Sequence, residues 1–389
     1  MRNHQSKYPI VLAGALLFCG TLRADGVGAV WVLAMENHNW TQPSPTNSPQ
    51  QIYGNSAAPF INSLVTPGNA NAAQSAYATH YYHAGVGVHP SEANYVWAEA
   101  GTDFGMHTNN DPSVGSGNIF NSPHLAQQLN SAGITWRNYQ EDFQYSTSAL
   151  ISAAGNGGTA PSGLTVGLNP YYSTAQYNYA VKHNPFAFFA DTATQNVRSF
   201  TQLSIDIANN NFGRYNWVTP NQYNDMHSSL TTDYTYHGTT YSAGDDQQAV
   251  ALGDNFLSQI VPAIQATAAY QNNGAIIIWW DESVLGDTPN QAIGEIVLSP
   301  LAKGNAYASA VEMNHSSDIR TMEKLFGLPY LNNAIPASET NVSGIGYNNV
   351  STANDLSSLF VPNSIPEPTS LVFFGLGAAG LLARRRRTK

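Results

Sequence analysis

Two short apolar runs, each stopped abruptly by a carboxylate, constrain this chain more than any other feature. Gly28–Met35 (GAVWVLAM) ends on Glu36-Asn37, and residues 275–280 (AIIIWW) end on Asp281-Glu282. Uninterrupted apolar runs of this length fit strands buried on both faces of a mostly parallel sheet. A third run, Glu295–Leu298, stops at Ser299-Pro300. Helical patterns fall between them, at His124–Ala132, closed by Gly133, and at Ala249–Gln265, where apolar residues recur at helical spacing. Strands alternating with helices predict an α/β fold. Open sheets of that kind collect functional groups at the carboxyl ends of their strands. One carboxylate there more often caps a helix or solvates a loop; the same arrangement twice points to a site. Residues 144–180, rich in Gly, Ser, Ala and Tyr, read as a long surface excursion, and no internal repeat is present.

The two ends carry processing patterns. Residues 1–24 combine Arg2 and Lys7 with the apolar stretch Ile10–Gly20 and a closing Leu22-Arg23-Ala24, the layout of a secretory signal peptide. The stretch is short for a membrane span. Cys19, the only cysteine, lies inside it, so the body beyond residue 24 has no thiol for a disulfide or a thiolate metal site. At the other end, Pro366-Glu367-Pro368 precedes the apolar run Ser370–Ala383, and Arg384–Arg387 with Lys389 follow. An apolar segment closed by a basic cluster is held in a membrane with its positive end in the cytoplasm. The three parts together resemble the PEP-CTERM sorting signal of Gram-negative bacteria, which implies processing by an exosortase. The expected organisation is a signal peptide at 1–24, a catalytic body at 25–332, an irregular tail and linker at 333–365, and the sorting signal at 366–389. It describes an exported protein, cut by signal peptidase and exosortase, whose body does not span the membrane and ends at the cell surface or in the extracellular matrix.

Charge narrows the chemistry. Only 10% of residues are charged, against about 25% in ordinary soluble proteins. Of the 15 Lys and Arg, three precede residue 25 and five lie in the C-terminal tail; seven remain against 24 acidic residues, a formal charge near −17 for the body. So acidic a body disfavours nucleic acid or anionic membranes as partners. It also implies that any phosphate chemistry relies on a metal ion for neutralisation.

Five islands hold the reactive groups: Glu36–Trp40, His89–Tyr95, Asn221–His227, Trp280–Ser283 and Asn314–Ser317, the last opening a helical stretch over Asp318–Phe326. Their order and spacing resemble the phosphoesterase family of acid phosphatases and phosphatidylcholine-hydrolysing phospholipases C. The matching elements are Glu36-Asn37, Ser91-x-x-Asn94, Trp136-x-x-Tyr139-x-Glu141-Asp142, Lys182-His183-Asn184-Pro185, Asn221…Asp225-x-His227, Asp281-Glu282, and His315…Arg320-Thr321…Phe326-Gly327-Leu328. The likeness spans about residues 30–331. It implies an alkaline-phosphatase-like α/β fold and a phosphoester substrate.

Phosphate esters repel nucleophiles, so catalysis on them consists mainly of positioning and charge neutralisation. Carried over from the resemblance, Glu36, Asn37, Ser91, Asp281 and Glu282 would hold one divalent ion, whether Mg²⁺, Ca²⁺, Mn²⁺ or Zn²⁺. Ser91 would attack phosphorus and form a phosphoseryl intermediate. Asn94 would donate to a phosphoryl oxygen. His227 and His315 would lie near the phosphate, holding an oxygen or protonating the leaving group. His89, His183 and Asp225 would stand behind these groups. His38, His80 and His83 read as ordinary core or surface histidines, while Glu141 and Asp142 match a family pattern and fit a helix-cap or loop role at least as well as a catalytic one. The chain departs from the family at Ala93, where proline is usual and would stiffen the turn after Ser91. The leading expectation is an acid-phosphatase-like phosphomonoesterase. The alternatives are a phosphodiesterase or phospholipase C of the same family and a non-catalytic surface matrix protein.

Overall fold

The computed structural model describes residues 26–41, 50–85, 88–110, 112, 119–143, 178–193, 196–283, 291–335 and 350–366. Eight strands form one sheet: β1 (Val30–Met35), β2 (Ser75–Ala78), β3 (Trp136–Gln140), β4 (Val197–Ser199), β5 (Tyr215–Thr219), β6 (Ala275–Trp280), β7 (Glu295–Leu298) and β8 (Tyr307–Ser309). Their order is β8-β2-β7-β6-β1-β5-β3-β4. Only β7 runs against its neighbours; β6, β1, β5, β3 and β4 are parallel. The mostly parallel α/β sheet expected from the sequence is therefore what the chain forms. Every side chain of β1 and β6 is buried, because helices cover both faces.

Three helices position the site: α1 (Ser91–Ala100), α2 (Asp246–Gln265) and α3 (His315–Phe326). All ten residues of α1 are buried, and Gly101 closes it in the left-handed conformation at φ 69°. The Asp245 side chain caps α2 by accepting from Gln247 N. At Gly253 this helix comes so close to the sheet that a Cβ would collide with the Met226 side chain and crowd Met35. A capping box opens α3, with Asn314 accepting from the first turn and Ser317 Oγ accepting from Asn314 N at 3.0 Å. The Trp97 indole of α1 donates to Ser316 Oγ of α3 at 2.9 Å and ties the two helices together.

Of the expected irregular tail and linker at 333–365, residues 333–335 and 350–365 are among those described. Val350, Leu356, Leu359, Phe360 and Ile365 are buried, Val27 N donates to Ser364 O, and Val361 N donates to Leu301 O. The described part of this segment is thus packed onto the body. Its apolar residues are too irregularly spaced for a periodic signal. Residues 1–24 and 367–389, where the processing signals are expected, lie outside the described residues.

Candidate functional site

Sheet register assembles the site. Met35 and Trp280 are paired in parallel, so Glu36-Asn37 and Asp281-Glu282 leave adjacent strands at one edge. On the other side of β1, β5 leads into the loop carrying Asn221, Asp225 and His227, and Glu36 N donates to Asp225 O at 2.8 Å. Ser91 enters at the N-terminus of α1, behind a cis His89–Pro90 bond. Four chain segments far apart in sequence thereby meet at the carboxyl end of the sheet.

Glu36 is the hub. Its Oε2 accepts from Ser91 Oγ at 3.0 Å and from Asn37 Nδ2 at 3.0 Å, and lies 3.0 Å from His227 Nδ1. Ser91 Oγ also reaches Glu282 Oε1 at 3.2 Å. Asn37 adopts φ 50°, a left-handed conformation that asparagine tolerates, and this aims its N–H at Asp281 Oδ1, 2.9 Å away. Met226, at φ 83°, sits strained between Asp225 and His227. The ring of His183 stacks on Tyr95 with centroids 5.1 Å apart, placing Nε2 3.2 Å from Glu36 Oε1 and Nδ1 3.2 Å from Asp225 Oδ2. His89 Nδ1 and Asn94 Nδ2 approach Glu282 Oε2 at 2.6 and 3.1 Å.

All the expected site residues therefore fall in one connected cluster, but some are oriented differently from expectation. Asn94 donates to Glu282 and to Val88 O, at 2.7 Å, so it holds the carboxylate and the preceding turn rather than pointing into open space. His183 and Asp225 lie directly against Glu36. His315 does not offer a nitrogen to a substrate: it is fully buried, Nε2 contacts Asp281 O at 2.5 Å, and Nδ1 accepts from Trp279 Nε1 at 2.9 Å. Ala93 lies inside α1 and its N–H donates to Pro90 O at 3.0 Å, so the helix fixes the turn that proline would otherwise stiffen. Glu141 and Asp142 anchor the Asn221 loop, accepting from Asn221 N and Asn221 Nδ2 at 2.8 Å each. His38 ties the Glu36 carbonyl to Asp246. Lys182 is the residue that sequence reasoning missed. The signal for it is the Lys182-His183-Asn184-Pro185 element itself.

Burial sets the electrostatics. Glu36 is pushed up to about 8 by burial and by the neighbouring Glu282 carboxylate. Asp281 and Asp225 are raised well above the usual carboxylate range by burial and by Glu36. Burial lowers His183 well below the ordinary imidazole value and brings His227 to about 4 and His315 to about 3. Among the described residues Glu36 Oε1, Asp225 Oδ2, Asp281 Oδ2 and both His183 nitrogens are buried without a hydrogen bond. Crowded acids with unpartnered lone pairs are what a cation satisfies, so the residues fit a divalent metal. Hard carboxylate oxygens surround Ser91, and Glu36, His183 and His227 bring ligand atoms within 4.8 Å of one another.

Ser91 is only 2% exposed, whereas the His227 side chain is 26% exposed and borders a cavity of about 360 Å³. That cavity is lined by Asn178, Lys182, Gln222, Tyr223, His227, Ser228 and Ser229.

The model of the phosphoesterase family matches residues 29–329, and that of the PEP-CTERM protein-sorting motif matches residues 364–387. The phosphatidylinositol-3-phosphatase of Mycobacterium tuberculosis is 28% identical over 333 residues, covering 85% of this chain and 91% of that protein. An acid phosphatase of Aspergillus fumigatus is 29% identical over 167 residues, 41% of this chain and 32% of its own length. Among solved structures, the lipoteichoic acid synthase LtaP from Listeria monocytogenes aligns with a TM-score of 0.48 at 10% identity, covering 85% of this chain and 77% of that one. A protein of the alkaline phosphatase superfamily from Vibrio parahaemolyticus aligns at 0.45 and 12% identity, covering 78% and 67%.

Proposed function

The chain belongs to the phosphoesterase family and is a phosphoric ester hydrolase, and from that premise we propose that it is a metal-dependent phosphomonoesterase of the acid-phosphatase kind, acting through a phosphoserine at Ser91. The observation that carries the reading is the pair of contacts from Ser91 Oγ to Glu36 at 3.0 Å and to Glu282 at 3.2 Å. A serine hydroxyl is a weak nucleophile until its proton has somewhere to go, and here a carboxylate stands ready on either side.

On this reading Ser91 Oγ attacks phosphorus while its proton passes to Glu36 or Glu282 and the bond from phosphorus to the alcohol oxygen breaks. His227, at the cavity mouth and mostly neutral above about pH 4, hydrogen-bonds the departing oxygen, which takes its proton from solvent. Water then cleaves the phosphoserine, releasing inorganic phosphate and restoring the hydroxyl. Backbone N–H groups at the start of α1 favour the negative phosphoryl group. Glu36, Asn37, Asp281 and Glu282, with Ser91 itself, are the residues that would hold one divalent ion; when bound it would neutralise phosphoryl oxygens and make Ser91 a stronger nucleophile. A scaffold in a surface matrix has no need of this cluster. The relatives named above, phosphatases on a phosphoinositide and on phosphate esters at acid pH, support the monoesterase over a phospholipase C or phosphodiesterase.

The PEP-CTERM match points to export and association with the cell surface. We take residues 1–24 and 366–389 as the segments removed by signal peptidase and exosortase. Among the described residues no helix is long and apolar enough to cross a membrane.

The test is hydrolysis by the purified body of p-nitrophenyl phosphate, its bis ester and phosphatidylcholine, with Ser91→Ala alongside. The monoester should be the preferred substrate and the variant inactive on all three. Full activity of Ser91→Ala on any of them contradicts the mechanism.

A further inference from the structure

We propose that Lys182 makes this site select phosphomonoesters, by holding the second negative charge that a monoester carries and a diester lacks; the proposal rests on the reading of Ser91 as the phosphoryl acceptor. Lys182 lies on a single 3-10 turn, Val181–His183, immediately before the histidine that faces Glu36. It is 95% buried, being 5% exposed, in a body with only seven Lys and Arg. Among the described residues its ammonium makes no hydrogen bond and no ion pair, and it is the only Lys or Arg lining the cavity beside His227. Its charge is felt by Glu36, Asp225, His183 and His227, the last of which shares the cavity wall with it.

The Lys182 stem is buried while its unpaired ammonium opens on the cavity, where an anion can meet it. The cluster's own carboxylates approach Ser91 from the sheet edge, and Lys182 stands on the cavity wall. A phosphoryl group seated on Ser91 would therefore turn its outer oxygens toward the lysine. A monoester, dianionic near neutral pH, has a charged oxygen to place there. A diester replaces one such oxygen with a second alkoxy group and leaves the ammonium without its partner, which is how a polar site rejects the wrong substrate. The remaining wall, Asn178, Gln222, Tyr223, Ser228 and Ser229, is uncharged and leaves the lysine as the charge-reading element.

The experiment compares wild type, Lys182→Gln and Lys182→Arg in the metal-loaded enzyme. It reads kcat/KM for p-nitrophenyl phosphate and for bis(p-nitrophenyl) phosphate, the inhibition constant of inorganic phosphate, and thermal unfolding. Loss of one charge-assisted contact should lower monoester kcat/KM by roughly 10- to 150-fold in Lys182→Gln and weaken phosphate inhibition in parallel. Diester turnover should stay within about threefold of wild type, and Lys182→Arg should recover part of the monoester loss. If monoester and diester rates fall by the same factor, or phosphate inhibits Lys182→Gln as well as wild type, Lys182 only balances the acidic cluster and the proposal is overturned. That result leaves the role of Ser91 standing, whereas an active Ser91→Ala removes both.

Discussion

His315 Nε2 donates to the backbone carbonyl of Asp281 at 2.5 Å, and this fixes where the second carboxylate pair leaves the sheet. The tautomer follows from the other side of the ring, where Nδ1 accepts from the Trp279 indole. His315 is thus a positioning residue. Replacing it by alanine leaves the indole N–H and a carbonyl buried without partners, at a cost of about 1–3 kcal/mol. In kinetics, His315→Ala should lower kcat while leaving KM for p-nitrophenyl phosphate and the shape of the pH profile unchanged. Disappearance of a limb of that profile would instead make it a proton donor.

Stability of the metal-free protein should depend on pH with an unusual sign. Glu36 is raised to about 8, and Asp225 and Asp281 lie well above their unfolded values near 4. A carboxyl group whose folded value is raised binds its proton more tightly in the fold, so its contribution is complete below about pH 4 and is lost as pH climbs through the folded value. Chelated protein should therefore melt at progressively lower temperature from about pH 5 to pH 9. Saturating Mg²⁺ or Mn²⁺ should flatten or reverse the trend, because a bound cation competes with those protons. Thermal unfolding across pH, with and without chelator, reads both slopes; rising stability of the chelated protein with pH would contradict the account.

Glu36→Gln separates function from stability. The amide removes a buried charge from a crowded acidic cluster, so the chelated variant should unfold at a higher temperature than chelated wild type above neutral pH. Activity should move the other way, falling by roughly 10² or more as the hub of the Ser91 contacts is lost. Metal content by mass spectrometry should drop in the same variant.

Much of this architecture is legible in the chain. The apolar runs at 275–280 and Glu295–Leu298 coincide with strands, Gly28–Met35 overshoots β1 by two residues, and the acids that stop two of these runs form the site. β3 and β5 escaped because Asn138, Gln140 and Asn216 break the apolar pattern. Inside the fold Asn138 Nδ2 donates to Asn184 Oδ1 and Asn216 Nδ2 to Val30 O, which makes those polar strands tenable. The reversal of β7 leaves no trace in composition. Nor does the difference between His227, at the cavity mouth, and His315, locked behind Asp281. That distinction depends on which neighbours each ring meets, and sequence spacing does not encode it.

Gly253 tests how the helix packing supports the site. Its missing side chain lets α2 approach Met226, the strained residue next to His227. Gly253→Ala should favour the isolated helix yet destabilise the protein by about 1–3 kcal/mol through overpacking. It should also raise KM by displacing the His227 loop. An increase in melting temperature with unchanged KM would show that Met226 yields without cost.

The most direct measurement is acid-quenched turnover of a phosphomonoester by the metal-loaded body, followed by peptide mapping of the protein. The account predicts one phosphoryl group trapped on the peptide containing Ser91, and none in Ser91→Ala. Sustained turnover with a phosphoryl group trapped elsewhere, or with Ser91→Ala as active as wild type, would contradict it.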